Sequence, residues 1–293
     1  MAPREKSKQG STAAQVLLAA DARKKSLPVW LARNAQWARE APLTAMQRAW
    51  LEAQGFKGAA RKHALLPGAD GELAGAVLGV GEGRAGDPME RPEVAVGLLP
   101  SLLPAGCYHL ADDPGDPQLA AVAWGLGAYR FRRYKTSGDS EVPQLKLPRG
   151  ADHAQAIALT DAVWLGRDLI NTPASDMGTQ ELEDAARQLG KSHGAKVSSI
   201  VGDELLAKNF PLIHAVGRAS PRPPRLIDLQ WGRDSAPQIV VIGKGIAFDT
   251  GGLDIKPASA MLIMKKDMGG AASALALGHM VMAARLDVRL RIL

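Results

Sequence analysis

The sequence predicts an α/β protein: an N-terminal α/β domain, then the first part of a C-terminal α/β domain with a mixed, largely parallel sheet. Three observations predict it. Short aliphatic runs such as RKHALL (61–66) and AGAVLGV (74–80) are bounded by Gly, Asp and Pro, as strands are. From residue 152 onward, strand-like runs alternate with helical patterns, the order that builds a sheet covered by helices. A chain of 293 residues is long enough for two domains.

The elements follow in chain order. Residues 1–12 are polar and basic and predict a disordered tail. Helical patterns dominate 13–60, including TAMQRAWLEAQG with apolar Met46, Trp50 and Leu51. RKHALL, AGAVLGV and EVAVGLL predict strands within 61–112, and 117–135 predicts one long helix. The polar, proline-punctuated stretch SGDSEVPQLKLPRG (137–150) predicts a boundary between an N-terminal domain over 13–140 and a second domain over 150–293. Leu159, Val163, Gly166 and Ile170 recur at helical spacing and predict a helix over 152–170, stopped by Asn171 and Pro173. Thr179 is expected to cap a second helix carrying Leu182, Ala186 and Leu189. KVSSIVG, RLIDLQW, QIVVIGKG and VRLRIL predict strands; DELLAKN and 268–285 predict helices. VRLRIL ends the chain with no turn or covering helix after it. A parallel sheet needs both faces covered, so the expectation is a piece of a longer protein.

Composition narrows the function. No apolar run approaches the roughly 20 residues of a membrane span, and no signal-peptide core follows the N-terminus, so a cytoplasmic location is expected. The single Cys107 excludes an internal disulfide framework and a Cys-cluster zinc site. The net charge is +6, with one dense basic cluster at Arg130, Arg132, Arg133 and Lys135 among Tyr129, Phe131 and Tyr134. It reads as a solvated helix face with its aromatics inward; a nucleic-acid surface is the lesser alternative. GEGRAG (81–86) has dinucleotide-loop spacing, but DPMERP follows where a helix is required, so a hairpin or loop is expected. Gly243-Lys244 lacks the rest of a phosphate loop. Histidines 63, 109, 153, 193, 214 and 279 have no metal-ligand spacing; His279 lies on the helix after a glycine-rich stretch, with no partner visible in sequence.

The informative stretch is GKGIAFDTGGLDIKPASAMLIMKKDMGGAA (243–272). Lys244 follows a buried-type strand, at the edge where α/β proteins bind ligands. Asp249 precedes two glycines, Lys256 precedes Pro257, and Asp267 sits where a new helix starts. Carboxylates converging from separate loops suit a divalent cation. A lysine beside such a cation can lose its proton and become a neutral ligand, and a second, protonated lysine can stabilise an oxyanion. The same four residues would also serve as two plain Lys–Asp ion pairs, and residue types alone leave both readings open.

GKGIAFDTGGLDIKP and MKKDMGGAA closely resemble the signature of the leucyl aminopeptidase family, the M17-type two-metal exopeptidases. RDLINTPASDMGT (167–179) and HAVGRASPRPPRLIDLQW (214–231) resemble its catalytic domain as well. The similarity is close over 155–293 and faint over 1–150, where AYRFRRYK and the general layout alone suggest it. The resemblance implies a metal-dependent aminopeptidase acting on peptides, with a leucine-type preference, two divalent ions (Mn, Zn or Mg) and a homohexameric assembly. It implies that Lys244, Asp249 and Asp267 bind metal and contact substrate, that Lys256 is the catalytic lysine polarising the scissile carbonyl, and that Met264 lines the pocket for the first side chain. A core methionine is the equal alternative for Met264. Ala247 and Thr250 depart from the Thr and Ser common in this loop without touching a ligand position. The family's Asn-Thr-Asp-Ala-Glu-Gly-Arg segment, which the resemblance implies supplies further carboxylates and an arginine, does not occur in these residues. The expectation is that residues 1–293 alone are inactive. A DNA-binding or pseudoenzyme member of the same family is the alternative.

Overall fold

In the computed structural model, which describes residues 12–83, 87, 90–135 and 141–293, the strands form two sheets. The chain divides into two units, Met1–Asp161 and Ala162–Leu293. The division falls later than the 137–150 stretch, and the strand at 144–146 belongs to the first sheet. The expectation of a disordered tail falls, apart from Thr12, outside the described residues.

The first sheet contains β1 (Leu17–Leu18), β2 (Leu27–Ala32), β3 (His63–Pro67), β4 (Leu73–Gly79), β5 (Cys107–Leu110) and β6 (Gln144–Lys146), in the order β1-β6-β5-β2-β4-β3. Every pairing is parallel except β3 with β4. β2 corrects the expectation that helices dominate 13–60. In LPVWLA, Val29, Trp30, Leu31 and Ala32 are all buried, as in a central strand covered on both faces, so no period-2 alternation marks it.

Helix α1 (Ala45–Ala53) starts at a Thr44–Gln47 capping box: Gln47 N–H donates to Thr44 Oγ1 at 3.2 Å, and Gln47 Oε1 accepts from Thr44 N–H at 3.1 Å. It buries Gln47 and Leu51 and leaves Met46 and Trp50 exposed, against expectation. Trp50 instead donates Nε1–H to the Leu65 carbonyl at 3.0 Å. EVAVGLL is helical, not a strand: Pro92 opens the turn Pro92–Ala95, a 3₁₀ turn follows over Val96–Leu98, and Leu99–Leu102 completes it. Its buried residues Ala95, Val96 and Leu99 recur at helical spacing. Helix α2 (Pro117–Gly127) is capped by Asp116 and ends eight residues short of the expected 135. A Cβ at Gly127 would strike the Gly97 carbonyl, so this position must be glycine, and the helix stops there. The Arg130–Lys135 cluster therefore lies on no helix face.

Helix α3 (His153–Asn171) runs across the division between the units. Helix α4 (Thr179–His193) is capped by Gly178, not by Thr179: Gly178 N–H donates to Glu181 Oε2 at 2.9 Å, while Thr179 Oγ1–H donates to the Pro223 carbonyl. The second sheet holds β7 (Lys196–Val201), β8 (Arg225–Trp231), β9 (Gln238–Val241) and β10 (Arg289–Ile292), in the order β7-β8-β10-β9. β7–β8 and β8–β10 are antiparallel and β10–β9 is parallel. Across both sheets five of the eight pairings are parallel. VRLRIL is not an open edge, because β10 is interior with Leu290 and Ile292 buried. The edges are β7 and β9, and on β9 Ile239 and Val240 are exposed. Helix α5 (Gly269–Ala283) contributes Ala272, Ala274, Leu275 and Met282 to a core shared with Leu229, Leu290 and α4.

Candidate metal and catalytic site

β9 delivers the chain to Lys244 at its carboxyl end, and two glycines fix the backbone there. A Cβ at Gly243 would meet Ala271 Cα at 2.5 Å, and one at Gly270 would meet the Lys244 nitrogen at 2.8 Å. The strand end and the start of α5 are thus in backbone contact, joined by Ala271 N–H donating to the Lys244 carbonyl at 2.9 Å. Asp267 lies in a 3₁₀ turn, Met264–Met268, directly before α5. Sequence-distant Lys244 and Asp267 are thereby brought within 3.9 Å, Nζ to Oδ2. Lys266, not singled out from sequence, approaches the other Asp267 oxygen at 3.5 Å; its place in MKKD was the available signal.

Asp249 and Lys256 sit in the loop between. Gly251 and Gly252 take φ values of +97° and +81°, which only glycine adopts cheaply, and the chain turns back so that Lys256 N–H donates to the Thr250 carbonyl at 2.9 Å. Lys256 Nζ then donates to Asp249 Oδ2 at 2.7 Å and to the Asp249 carbonyl at 3.2 Å. The Lys256 ammonium, and after it the Gly251 N–H on Oδ1, hold the Asp249 carboxyl below the ordinary aspartate range; the charge of Lys244 acts in the same direction. Met264 is buried, and its sulfur accepts from Asp249 N–H at 3.3 Å.

All four charged residues are therefore engaged pairwise: Lys244 with Asp267, Asp249 with Lys256. The Lys256 and Asp249 side chains are 34% and 41% exposed. Pairs so open to water contribute about 0–1 kcal/mol to stability. Stability alone gives little reason for this glycine-rich arrangement. In donor type, one amine and two carboxylates fit part of a divalent-cation shell. Among the described residues no three His, Cys, Asp or Glu side chains form a metal-ready group.

The histidines do not join the site. His279 has a partner that sequence did not reveal: His193 Nε2 lies 2.7 Å from its Nδ1, with the rings edge to face. That pair is ten residues along α5 from Gly269, roughly 15 Å at the helical rise. A cavity of about 450 Å³ beside it is lined by His193, Trp231, Met282 and Asp287, none of them a residue of the lysine–aspartate site.

Comparison with known proteins gives the class. The catalytic-domain model of the cytosol aminopeptidase family matches residues 164–293, and the M17 aminopeptidase N-terminal domain model matches 22–148. A probable cytosol aminopeptidase of Rhodococcus jostii is 34% identical over 257 residues, covering 81% of this chain and 50% of that protein. The crystal structure of a cytosol aminopeptidase from Coxiella burnetii superposes with a TM-score of 0.82 at 38% identity, covering 94% of this chain and 59% of the other. The bottromycin maturation enzyme BotP, solved in complex with Mn, superposes with a TM-score of 0.75 at 27% identity, covering 92% of this chain and 58% of the other. The chain belongs to the cytosol aminopeptidase family. It spans about half the length of the curated relatives it matches. Among the described residues no helix is long and apolar enough to cross a membrane.

Proposed function

We propose that this chain contributes to a metal-dependent aminopeptidase that releases N-terminal residues, leucine foremost, from peptides. Lys244, Asp249 and Asp267 hold metal, Lys256 is the catalytic lysine, and Met264 lines the pocket for the first side chain. The observation that carries the reading is the pairwise engagement of two lysines and two carboxylates where β9 meets α5. Lys244, Asp249 and Asp267 would hold two divalent ions, Mn, Zn or Mg, which would supply Lewis-acid polarisation of the carbonyl and acidify water. The chain's own residues do the rest. Asp249 orients the Lys256 ammonium through the 2.7 Å bond. The Lys256 ammonium would donate to the carbonyl oxygen as negative charge develops there. Met264 steadies Asp249 through its sulfur. The Mn complex of BotP supports the choice of metal. The names of the relatives support a cytoplasmic location, and the family resemblance supports a homohexamer.

Calorimetric titration of the chain with Mn²⁺ tests the assignment. Binding is expected for the wild type and for Lys256→Gln, and is expected to be lost in Asp249→Asn and Asp267→Asn. Absence of Mn²⁺ binding by the wild type, or equal binding by all four proteins, would leave only two surface ion pairs.

A further inference from the structure

The first unit carries a second crevice with no assigned role. It has a volume of about 430 Å³ and opens at the carboxyl ends of β2, β4 and β5, which run parallel. Leu31 lines it from the end of β2, Val80 from just past β4, and Asp112 and Asp113 from just past β5. β2 is the strand about which the chain changes direction: β4 lies on one side of it, and the next parallel strand, β5, on the other. In open α/β sheets this is where ligands bind, because the diverging connections leave a cleft.

The lining carries both signs of charge. Asp112 is half-buried. Its Oδ2 accepts from Leu31 N–H at 2.7 Å, and the Trp37 side chain also donates to the carboxyl. Among the described residues no Lys, Arg or His forms an ion pair with it. Burial is the largest influence on this carboxyl and pushes it up, as expected for a desolvated charge with no cation beside it. Arg33, on the same wall, is exposed and makes no hydrogen bond or ion pair among the described residues. Trp37 supplies apolar surface, over Leu31 and Val80, which are buried at the floor.

We propose that this crevice binds a free α-amino acid, its ammonium on Asp112, its carboxylate on Arg33, and its side chain against Trp37. A phosphate-bearing ligand fits less well, since Glu40, Asp112 and Asp113 oppose a single Arg33 around the cavity. A bare metal ion fits less well too, since no metal-ready group exists among the described residues. The volume lies in the range of small-molecule sites and exceeds what one amino acid needs, so dipeptides fit as well. If the aminopeptidase reading holds, free amino acids are its products and the crevice senses product; that clause alone rests on the proposed function.

Calorimetry on the whole chain with L-leucine, in EDTA so that no metal site contributes, tests the proposal. Leucine is expected to bind. Arg33→Gln, an exposed substitution that leaves the fold intact, is expected to weaken binding about tenfold to a hundredfold, the usual effect of deleting a charged hydrogen bond. 3-Methylbutylamine and 4-methylpentanoate, which each lack one charged group of leucine, should bind as weakly. Asp249→Asn should bind leucine like the wild type. No leucine binding at millimolar concentration, undiminished binding by Arg33→Gln, or loss of binding in Asp249→Asn would each overturn the assignment. So would tight binding of AMP that leucine does not displace. Failure of Mn²⁺ binding would leave these results untouched, so the two readings fail separately.

Discussion

Glu183 lies within α4 with 4% of its surface exposed. Its Oε1 accepts from Arg187 Nε and from Ser199 Oγ, each at 2.7 Å, and its Oε2 pairs with Arg225. The Arg225 side chain is only 7% exposed. One carboxylate therefore ties α4 to both β7 and β8. Glu183→Ala would leave the Arg225 guanidinium buried with the Gln180 side-chain oxygen as its remaining acceptor. Breaking a buried pair in this way costs about 3–5 kcal/mol, a large share of the roughly 5–15 kcal/mol that holds a domain folded. Amide hydrogen exchange of β7 and β8 reports the second unit by itself. At about 1.4 kcal/mol per decade, their slowest-exchanging amides should exchange roughly two to three and a half decades faster in the variant. Asp287→Ala removes an Arg pair of similar chemistry that is largely open to water, and should leave the same amides nearly unchanged. pH gives a second readout. Burial alone would push the Glu183 carboxyl up, but the bonds from Ser199, Arg225 and Arg187 outweigh it and hold it below the ordinary glutamate value. A depressed carboxyl stabilises the fold above its unfolded pKa and loses that contribution as pH falls through the folded one. Protection should therefore decline below about pH 4.5 in the wild type more steeply than in Glu183→Gln. If Glu183→Ala exchanges no faster than Asp287→Ala, burial does not set the value of charge in this unit and the reasoning fails.

Three further outcomes are expected at the proposed site. In the active enzyme, Lys256→Ala should lower kcat by about 10²–10³, typical for one lost oxyanion donor, with Mn content by atomic absorption nearly unchanged; loss of metal with full turnover per loaded site would reverse the roles. Mn²⁺ binding should release protons, because Lys244 can ligate only as a neutral amine; titration in buffers of different ionisation heat should show the release in the wild type and its loss in Lys244→Gln. Gly243→Ala, whose Cβ would meet Ala271 Cα at 2.5 Å, should cost about 1–3 kcal/mol of stability by overpacking and weaken Mn²⁺ binding, read by thermal melting and calorimetry.

Legibility in the sequence followed locality. The run from β9 through the glycine loop to α5 is readable because strand, loop and helix start are contiguous, and each charge stands beside a residue that fixes its backbone: Gly243 beside Lys244, Gly251 and Gly252 after Asp249, Pro257 after Lys256. Helix α3 is readable from a sustained period of apolar residues. β2 is not, because LPVWLA is buried on both faces and carries no alternation. EVAVGLL misleads for a related reason: a short apolar run fits a strand or a buried helix equally, and Pro92, which favours the first turn of a helix, decides it. Trp50 misleads because an aromatic can stay exposed while its N–H bonds a strand carbonyl, without entering the core.

What no local pattern can display is partnership. The composition of 243–272 contains two lysines and two aspartates, but it does not say that Lys256 turns back to Asp249 while Lys244 reaches forward to Asp267. The positive-φ turn at Gly251 and Gly252 decides the first, and the backbone contact of Gly243 and Gly270, across an interval of 27 residues, decides the second. The crevice of the first unit is a stronger case. Its residues come from 31–40, 80, 92 and 112–113, three strand ends and a helix start that no motif spacing links. Only the strand order, with β4 and β5 on opposite sides of β2, brings them to one wall. A glycine-rich loop advertises its chemistry in the sequence because the backbone conformations it needs restrict residue type. A cleft between parallel strands needs no unusual backbone, so its residue types are free and it leaves no mark until the sheet is assembled.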